Sequence, residues 1–479
     1  MLRLYTGVSN RLSQPIFLLL MTPVIAIFDV GKTNKKLFLF NQRYEIVWER
    51  SEQFAEITDE DGDPCEDLDR LTGWVLQALD EVLTLPQFDV QAVNVTTYGA
   101  SFVYIDREGR PVGPLYNYLK PFPDALRDQF LAQYGPLDAL SQQTASPWLG
   151  SLNSGLMLYR LKYERPADWA HVAYALHLPQ YVSYLVTRQP LSDLTSVGCH
   201  TLLWDFTTNA YHDWVVAEGL ERTLAPLFPA DQAIATYLPR AGREVPVGVG
   251  LHDSSAALIP YLASFGDGID LRPFVLISTG TWCISMNPFN DEPLTLSELK
   301  QDCLCYLQYR GKPVKASRLF AGYEHEQQTK RLARHFDVPS DTYKRVGYQA
   351  GLLERLRPAD PSVPFGERDL TAFSNYETAY HQLMLDLMAA QVRSTALVMP
   401  GAGANSPATT RIFVDGGFSH NSLYMNLLAA AFPQVEVWAA SVAQATALGA
   451  ALALHDQWNP LPVPPNLITL TRYTTLTKV

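Results

Sequence analysis

Val24-Ile25-Ala26-Ile27-Phe28-Asp29-Val30-Gly31-Lys32-Thr33-Asn34 is the stretch on which the reading of the fold turns. Its first five residues are apolar, with β-branched and aromatic side chains, and predict a buried strand. A short polar turn follows. Leu37 to Phe40 then resumes the strand pattern, and Ile46 to Trp48 gives a third apolar run. The turn between the first two strands carries chemistry. Gly31 and the small polar residues after it let backbone N–H groups approach a phosphate, and Asp29 can hold the water shell of a magnesium ion. The combination suits the β- and γ-phosphates of ATP. Gly31-Lys32-Thr33 is not a P-loop, because that motif needs a glycine at position 26, where Ala26 stands, and must lead into a helix. Taken alone, the motif reads first as an ordinary Asp-Gly hairpin turn.

Working outward, Leu68, Leu71, Val75, Leu79 and Val82 recur at helical spacing within residues 65–83, and Val93-Asn94-Val95-Thr96-Thr97 returns to strand. A similar opening recurs later, where Phe274-Val275-Leu276-Ile277 enters Ser278-Thr279-Gly280-Thr281 and leaves through Trp282-Cys283-Ile284-Ser285. The chain therefore reads as two structurally duplicated halves. The glycine-containing stretch 262–270 is the expected hinge. This gives an N-terminal lobe at 22–262, a C-terminal lobe at 270–456 and a tail at 457–479. The C-terminal lobe should also contain a long helix through Tyr376, Tyr380, Leu383 and Leu387, and an alanine-rich helix over about 441–455. Residues 16–21 are apolar, but the run is short and has no small-residue cleavage site, so 1–20 is expected to be a poorly ordered extension.

Three further motifs carry chemistry. Ser278-Thr279-Gly280-Thr281-Trp282 offers a second nest of donors at a strand end. Asp415-Gly416-Gly417-Phe418-Ser419-His420-Asn421 stands between a strand and a helical stretch, where backbone and a helix N-terminus can meet phosphate or ribose oxygens. Gly248-Val249-Gly250-Leu251-His252-Asp253-Ser254-Ser255 opens an apolar helix. Asp253 is either a helix N-cap or the carboxylate base that phosphoryl transfer to an alcohol needs, and the glycines and His252 before it favour a loop shaped around a ligand.

Composition bounds the partners. A chain of 479 residues is too long for one ordinary core, which agrees with two lobes. With 37 Lys+Arg against 49 Asp+Glu, the net charge of −12 disfavours nucleic acid as a partner. The 47% hydrophobic content is that of a globular protein without a membrane span. The five cysteines are odd in number and irregularly spaced, which suits a reducing cytoplasm; Cys303 and Cys305 read as small buried hydrophobes rather than metal ligands.

The order of the four motifs is more specific than any one of them. Together with Thr97-Tyr98-Gly99-Ala100-Ser101-Phe102-Val103, Gly155-Leu156-Met157-Leu158-Tyr159 and Ala447-Leu448-Gly449-Ala450-Ala451, it resembles the FGGY carbohydrate kinase family over about residues 23–455. The resemblance implies an α/β fold of two ribonuclease-H-like lobes of the actin and hexokinase type, with mixed five-stranded sheets flanked by helices, closing on ATP, Mg2+ and a small ketose or polyol. By matching motifs it places Asp253 as general base. Asp29, Gly31, Lys32, Thr33 and Asn34 fall on the first phosphate and magnesium site, Thr279, Gly280 and Thr281 on the second phosphate loop, and Asp415, Gly416, Gly417 and Asn421 on the adenosine loop. Gly99, Ala100, His252 and Ser254, with Asp253, fall on sugar-contacting positions.

His252-Asp253 and Gly99 look like the rhamnulokinase branch and Gly31 to Asn34 like the fuculokinase branch, so 6-deoxy-ketohexoses are the leading substrates, with pentuloses and polyols as the alternative. Three positions depart from the family pattern. Lys32 replaces a small residue and is expected to bind phosphate rather than point to solvent; Gln180 and Gln444 replace acidic residues. Trp148, Asn153 and Arg318 are candidate pocket-lining residues. A homodimer is compatible with the sequence. A nucleotide-driven switch of the actin and Hsp70 type would not need Asp253, and a sugar-sensing pseudokinase would not need Asp29, Asp253 and Asp415 together.

Overall fold

The computed structural model describes residues 21–265, 272–356, 364–401 and 406–474. Two seven-stranded mixed sheets organise it. The first contains β1 (Thr22–Val30), β2 (Lys35–Asn41), β3 (Ile46–Glu52), β4 (Phe88–Thr97), β5 (Ala233–Leu238), β6 (Arg243–Gly248) and the short β7 (Leu251–His252). The order is β5-β6-β4-β1-β2-β3, with β7 paired to β4. The second contains β8 (Phe274–Thr279), β9 (Cys283–Asn287), β10 (Cys303–Leu307), β11 (Pro313–Leu319), β12 (Arg411–Gly416), β13 (Glu436–Ser441) and β14 (Thr469–Tyr473), ordered β10-β11-β9-β8-β12-β13-β14. In each sheet an antiparallel hairpin is joined by a third antiparallel strand on one side and by a parallel strand on the other. The duplication expected from the sequence is present.

β1 shows how one strand serves two cores. Its side chains alternate between faces. Val24, Ala26 and Phe28 pack against Leu71, Trp74 and Val75 of helix α1 (Leu68–Thr84), whose first turn Asp67 caps by accepting from Arg70 N. Ile25 and Ile27 face the opposite way, into a cluster that also holds Ala256 and Ile259 of helix α2 (Asp253–Phe265), Ala447 and Leu448 of helix α3 (Ala445–Ala453), and Phe274 and Leu276 of β8. The two lobes thus share one apolar core, with α2 and α3 crossing between the sheets. Small residues allow the crossing: a Cβ on Gly449 would stand 1.8 Å from Ala256 O. Asn94 of β4 donates to Ala450 O at 2.8 Å across the same junction.

Several boundaries differ from the sequence reading. Each sheet exceeds five strands because β5 and β6 extend the first, and β10 and β14 the second. Since β14 pairs with β13, the C-terminal lobe continues past 456 into the segment read as a tail. The alanine-rich helix starts at Ala445, because residues up to Ser441 extend β13 and Gln444 takes a left-handed φ of 51°. Residues 262–265 of the expected hinge are the last turn of α2. The rest of that hinge and the extension at 1–20 lie outside the described residues. Among the described residues, no helix is long and apolar enough to cross a membrane.

Candidate active site

Asp253 is the first residue of α2, immediately after β7, at the junction of the lobes. Its side chain is 34% exposed. Oδ1 accepts from Ser254 N at 2.6 Å and from Ser254 Oγ at 3.3 Å, bonds to the next residue rather than to the N2 or N3 amide that an N-cap serves, and the group stays partly exposed. Burial pushes its pKa up to about 6, against the opposing pull of the Ser254 donors.

The loop that presents Asp253 is fastened from behind. Gln180 and Ser183 lie on the helix Leu178–Thr187; Gln180 Nε2 donates to Gly250 O at 2.8 Å, and Ser183 Oγ donates to Gly248 O at 2.7 Å. His252 N donates to Thr195 Oγ1 at 2.9 Å, and Thr195 is itself held by Asp193. Gly250 has φ of 88°, and a Cβ there would stand 2.5 Å from Pro179 O, so only glycine fits. Gln180, read from sequence as a departure from pattern, therefore positions the loop bearing the candidate base.

Asp29, at the end of β1, belongs to the same charge cluster. Its pKa is pushed up to about 6 by burial and, after the opposing hydrogen bond from Thr446, by the charge of Asp253. Thr446 Oγ1 donates to Asp29 Oδ2 at 2.7 Å, a bond from α3 of one lobe to the hairpin of the other. Two neighbouring carboxylates with raised pKa values suit a divalent cation held partly through water, so the residues present fit magnesium. Gly31 N donates to Asn34 O at 2.9 Å and closes the turn; Asn34 Oδ1 accepts from Gln53, and Thr33 is exposed.

Lys32 takes neither of the positions weighed for it. Its Nζ lies 2.9 Å from Glu56 and 3.2 Å from Glu66, beside the rings of Tyr98 and Tyr118. Glu66 also pairs at 2.9 Å with Lys35, which is fully buried. Two carboxylates outcompete any orientation toward solvent. Glu66→Gln is expected to leave the Lys35 ammonium without its counter-charge and to cost about 3–5 kcal/mol, read by urea denaturation.

The two loops expected to meet phosphate and adenosine are locked together. The Thr279 hydroxyl donates to Asp415 O and accepts from Phe418 N, so it is occupied within the protein, whereas Thr281 and Gly280 are exposed. Gly416 has φ of 75°, and a Cβ there would stand 1.9 Å from Thr279 O. The Asp415 carboxylate is buried, accepts from Tyr261 OH at 3.2 Å and is also bonded to Ser278. Thr279 and Asp415 thus shape the loops from within, and Thr281 supplies the free hydroxyl.

A cavity of about 420 Å³ opens beside these loops, lined by Gly280, Gly322, His325, Tyr343, Gly417 and Asn421 among others. It brings together the predicted Gly280, Gly417 and Asn421. Gly322, His325 and Tyr343 were not found by sequence reasoning, although Ala321-Gly322-Tyr323, directly after β11 and Phe320, carried a signal in its glycine. Gly322 permits closure, since its Cβ would stand 1.7 Å from Gly280 O. Asn421 caps the following helix, accepting from Tyr424 N, and donates to Tyr380 OH.

On the other side of Asp253, Gly99 makes room for an imidazole: a Cβ there would meet His252 Cδ2 and Nε2 at 2.6 Å. Ala100 beside it is buried with φ of 61°. His252 Nε2 lies 3.3 Å from Asp253 Oδ1 and 3.4 Å from Cys199 Sγ, while its buried Nδ1 has no partner among the described residues. Burial lowers the His252 pKa to about 4, so the ring is neutral near pH 7. Asn153 is fully buried and committed to His200 O, Pro147 O and Leu149 N, and Trp148 packs against Phe122 and Phe130. Those two candidates build the lobe, whereas Arg318 comes near Cys199 and His200.

Residues 24–260 match the model of the N-terminal domain of the FGGY family of carbohydrate kinases, and residues 271–461 match the model of the carbohydrate kinase FGGY C-terminal domain. The chain belongs to the FGGY family of carbohydrate kinases. A rhamnulokinase from Pectobacterium atrosepticum is 27% identical over 235 residues, 45% of this chain and 45% of the relative, so the match spans about half the length of that curated protein. Among solved structures, a carbohydrate kinase from Novosphingobium aromaticivorans superposes with a TM-score of 0.76 at 24% identity, covering 95% of both chains. A xylulose kinase from Lactobacillus acidophilus gives 0.74 at 14% identity, covering 95% of this chain and 94% of the other. These likenesses establish the fold.

Proposed function

We propose that the protein transfers the γ-phosphoryl group of ATP to a hydroxyl of a small ketose, with 6-deoxy-ketohexoses such as L-rhamnulose or L-fuculose as the leading acceptors, and that Asp253 is the general base. The observation that carries this reading is the partly open Asp253 carboxylate, with raised pKa, beside Asp29 at the junction of the lobes. A base near pKa 6 is ionised at neutral pH yet still takes a proton from an alcohol as its oxygen attacks phosphorus. Asp29, with Thr446 fixing one of its oxygens, would hold magnesium, whose chemistry is to neutralise phosphate charge. Gly280, Thr281 and the turn at Gly31 orient the phosphates, and the cavity at Gly417 and Asn421 takes the nucleoside. His252, whose buried Nδ1 has no partner among the described residues, and Gly99, which makes room for its ring, orient the sugar. The matched rhamnulokinase supports the choice of acceptor.

ADP release measured with Mg-ATP and a panel of L-rhamnulose, L-fuculose, xylulose and glycerol tests the reading. Sugar-dependent turnover is expected, highest on a 6-deoxy-ketohexose. Hydrolysis indifferent to every sugar would instead indicate a nucleotide switch. Gln180→Ala is expected to lower kcat about tenfold by loosening the Asp253 loop, while leaving the KM for ATP unchanged, as steady-state kinetics will show.

A further inference from the structure

We propose that the sugar bound in this cleft is uncharged, and that Arg318 and Asp302 of the C-terminal lobe form a donor–acceptor pair for two of its neighbouring hydroxyls. The inference rests on the kinase reading above and specifies its substrate class. Arg318 lies on β11, and Asp302 immediately precedes β10. Arg318 Nε and Nη2 both donate to Asp302 Oδ1, at 3.0 and 2.6 Å, and Arg318 N donates to Asp302 O at 3.0 Å. Asp302 takes a left-handed φ of 62°, a conformation aspartate adopts more readily than most residues, and both its carbonyl and its carboxylate meet the same arginine. Among the described residues, this grip leaves Nη1 of Arg318 and Oδ2 of Asp302 without a hydrogen-bond partner.

The pair faces the wall that carries the candidate base. The Arg318 guanidinium is in electrostatic reach of Cys199 and His200, and the Tyr306 ring lies 6.2 Å from His200 and 6.1 Å from His252. Trp282, 42% exposed and next to Thr281, stands 5.6 Å from the guanidinium. An arginine with a free fork suits a carboxylate or phosphate. One already gripped by a carboxylate offers a donor beside an acceptor, which is what a vicinal diol requires.

The charge inventory around Asp253 points the same way. Lys32 is matched by Glu56 and Glu66, and Arg318 by Asp302. Burial keeps His177 and His200 neutral. Lys36 lies on the Asp29 side, where its Nζ donates to Gln444. A sugar acid would add a further negative charge beside Asp253 and Asp29, with Lys32 and Arg318 already paired to carboxylates and Lys36 on the Asp29 side, a costly arrangement in a partly buried site.

Calorimetric titration of the full chain with L-rhamnulose, L-fuculose, xylulose and gluconate tests this without requiring turnover. A ketose should bind at least about tenfold tighter than gluconate, and Arg318→Met and Asp302→Asn should each weaken that ketose about tenfold or more. The Kd for Mg-ATP should stay within about twofold, and Asp302→Asn, which frees the arginine, should improve gluconate binding. Arg318→Lys, which keeps the charge but loses the fork, should weaken the ketose in the same direction even if the methionine variant misfolds. Gluconate binding tighter than every ketose would overturn the neutral class. Unchanged ketose affinity in folded Arg318 and Asp302 variants would overturn the pair alone, and a rise confined to the Mg-ATP Kd would assign Arg318 to phosphate. Absence of any sugar binding by the unaltered chain would remove the kinase reading itself.

Discussion

Asp253→Asn is expected to lower kcat by about 10²–10⁴-fold, the usual contribution of a positioned base, while the KM values for ATP and sugar change little. The amide keeps the size of the carboxylate and its contact with Ser254, but cannot accept the proton of the attacking hydroxyl. In the unaltered chain, kcat/KM should fall as pH drops through about 6, because the base must be ionised and its pKa is raised to that value. Asp29 titrates in the same range beside it, so the apparent value belongs to the pair. Stability carries the opposite sign. A carboxyl whose folded pKa is raised from 3.8 favours the fold while protonated, and this contribution is lost as pH rises through about 6. Asp253→Asn removes that loss at neutral pH, and its melting temperature should rise as its turnover disappears. Undiminished turnover in this variant would exclude Asp253 as the base.

Gly449→Val is expected to remove activity from a position that touches no substrate. Its Cβ would stand 1.8 Å from Ala256 O, and a backbone carbonyl in the first turn of α2 has no rotamer with which to yield. The helices α2 and α3 must then separate. Asp253 begins the first of them and Thr446, which holds Asp29, lies in the first turn of the second. A displacement of about 1 Å at a reacting group costs on the order of 10²-fold in rate, and forced overpacking costs about 1–3 kcal/mol or more. Activity and urea midpoint should therefore fall together. Gly73→Ala in α1 is the control, since a Cβ there meets nothing within 4 Å and should add about 0.5–1 kcal/mol by helix propensity alone. A Gly449→Val variant with native activity would show that the crossing of α2 and α3 does not set the distance between Asp253 and Asp29.

The strand–turn–strand beginning at Val24, its echo at Phe274, and the glycines at 31, 250, 280, 416 and 417 were legible because they are local. Apolar periodicity fixes which segments become strands, and a turn or a close backbone approach fixes where a side chain has no room. The roles of Lys32, Thr279, Asp415 and Gln180 were not legible in the same way. Each is settled by a partner far along the chain: Glu66 for Lys32, Phe418 for Thr279, Tyr261 for Asp415 and Gly250 for Gln180. No periodicity records which of two polar side chains reaches a given carbonyl or carboxylate first. By itself, the sequence determined two duplicated α/β halves and the turns where phosphate chemistry gathers, because those follow from backbone sterics and alternating burial over a few residues. Only the tertiary structure decided which side chains remain free to act, because that depends on desolvation and on competition for hydrogen bonds among groups that meet only when the lobes pack together.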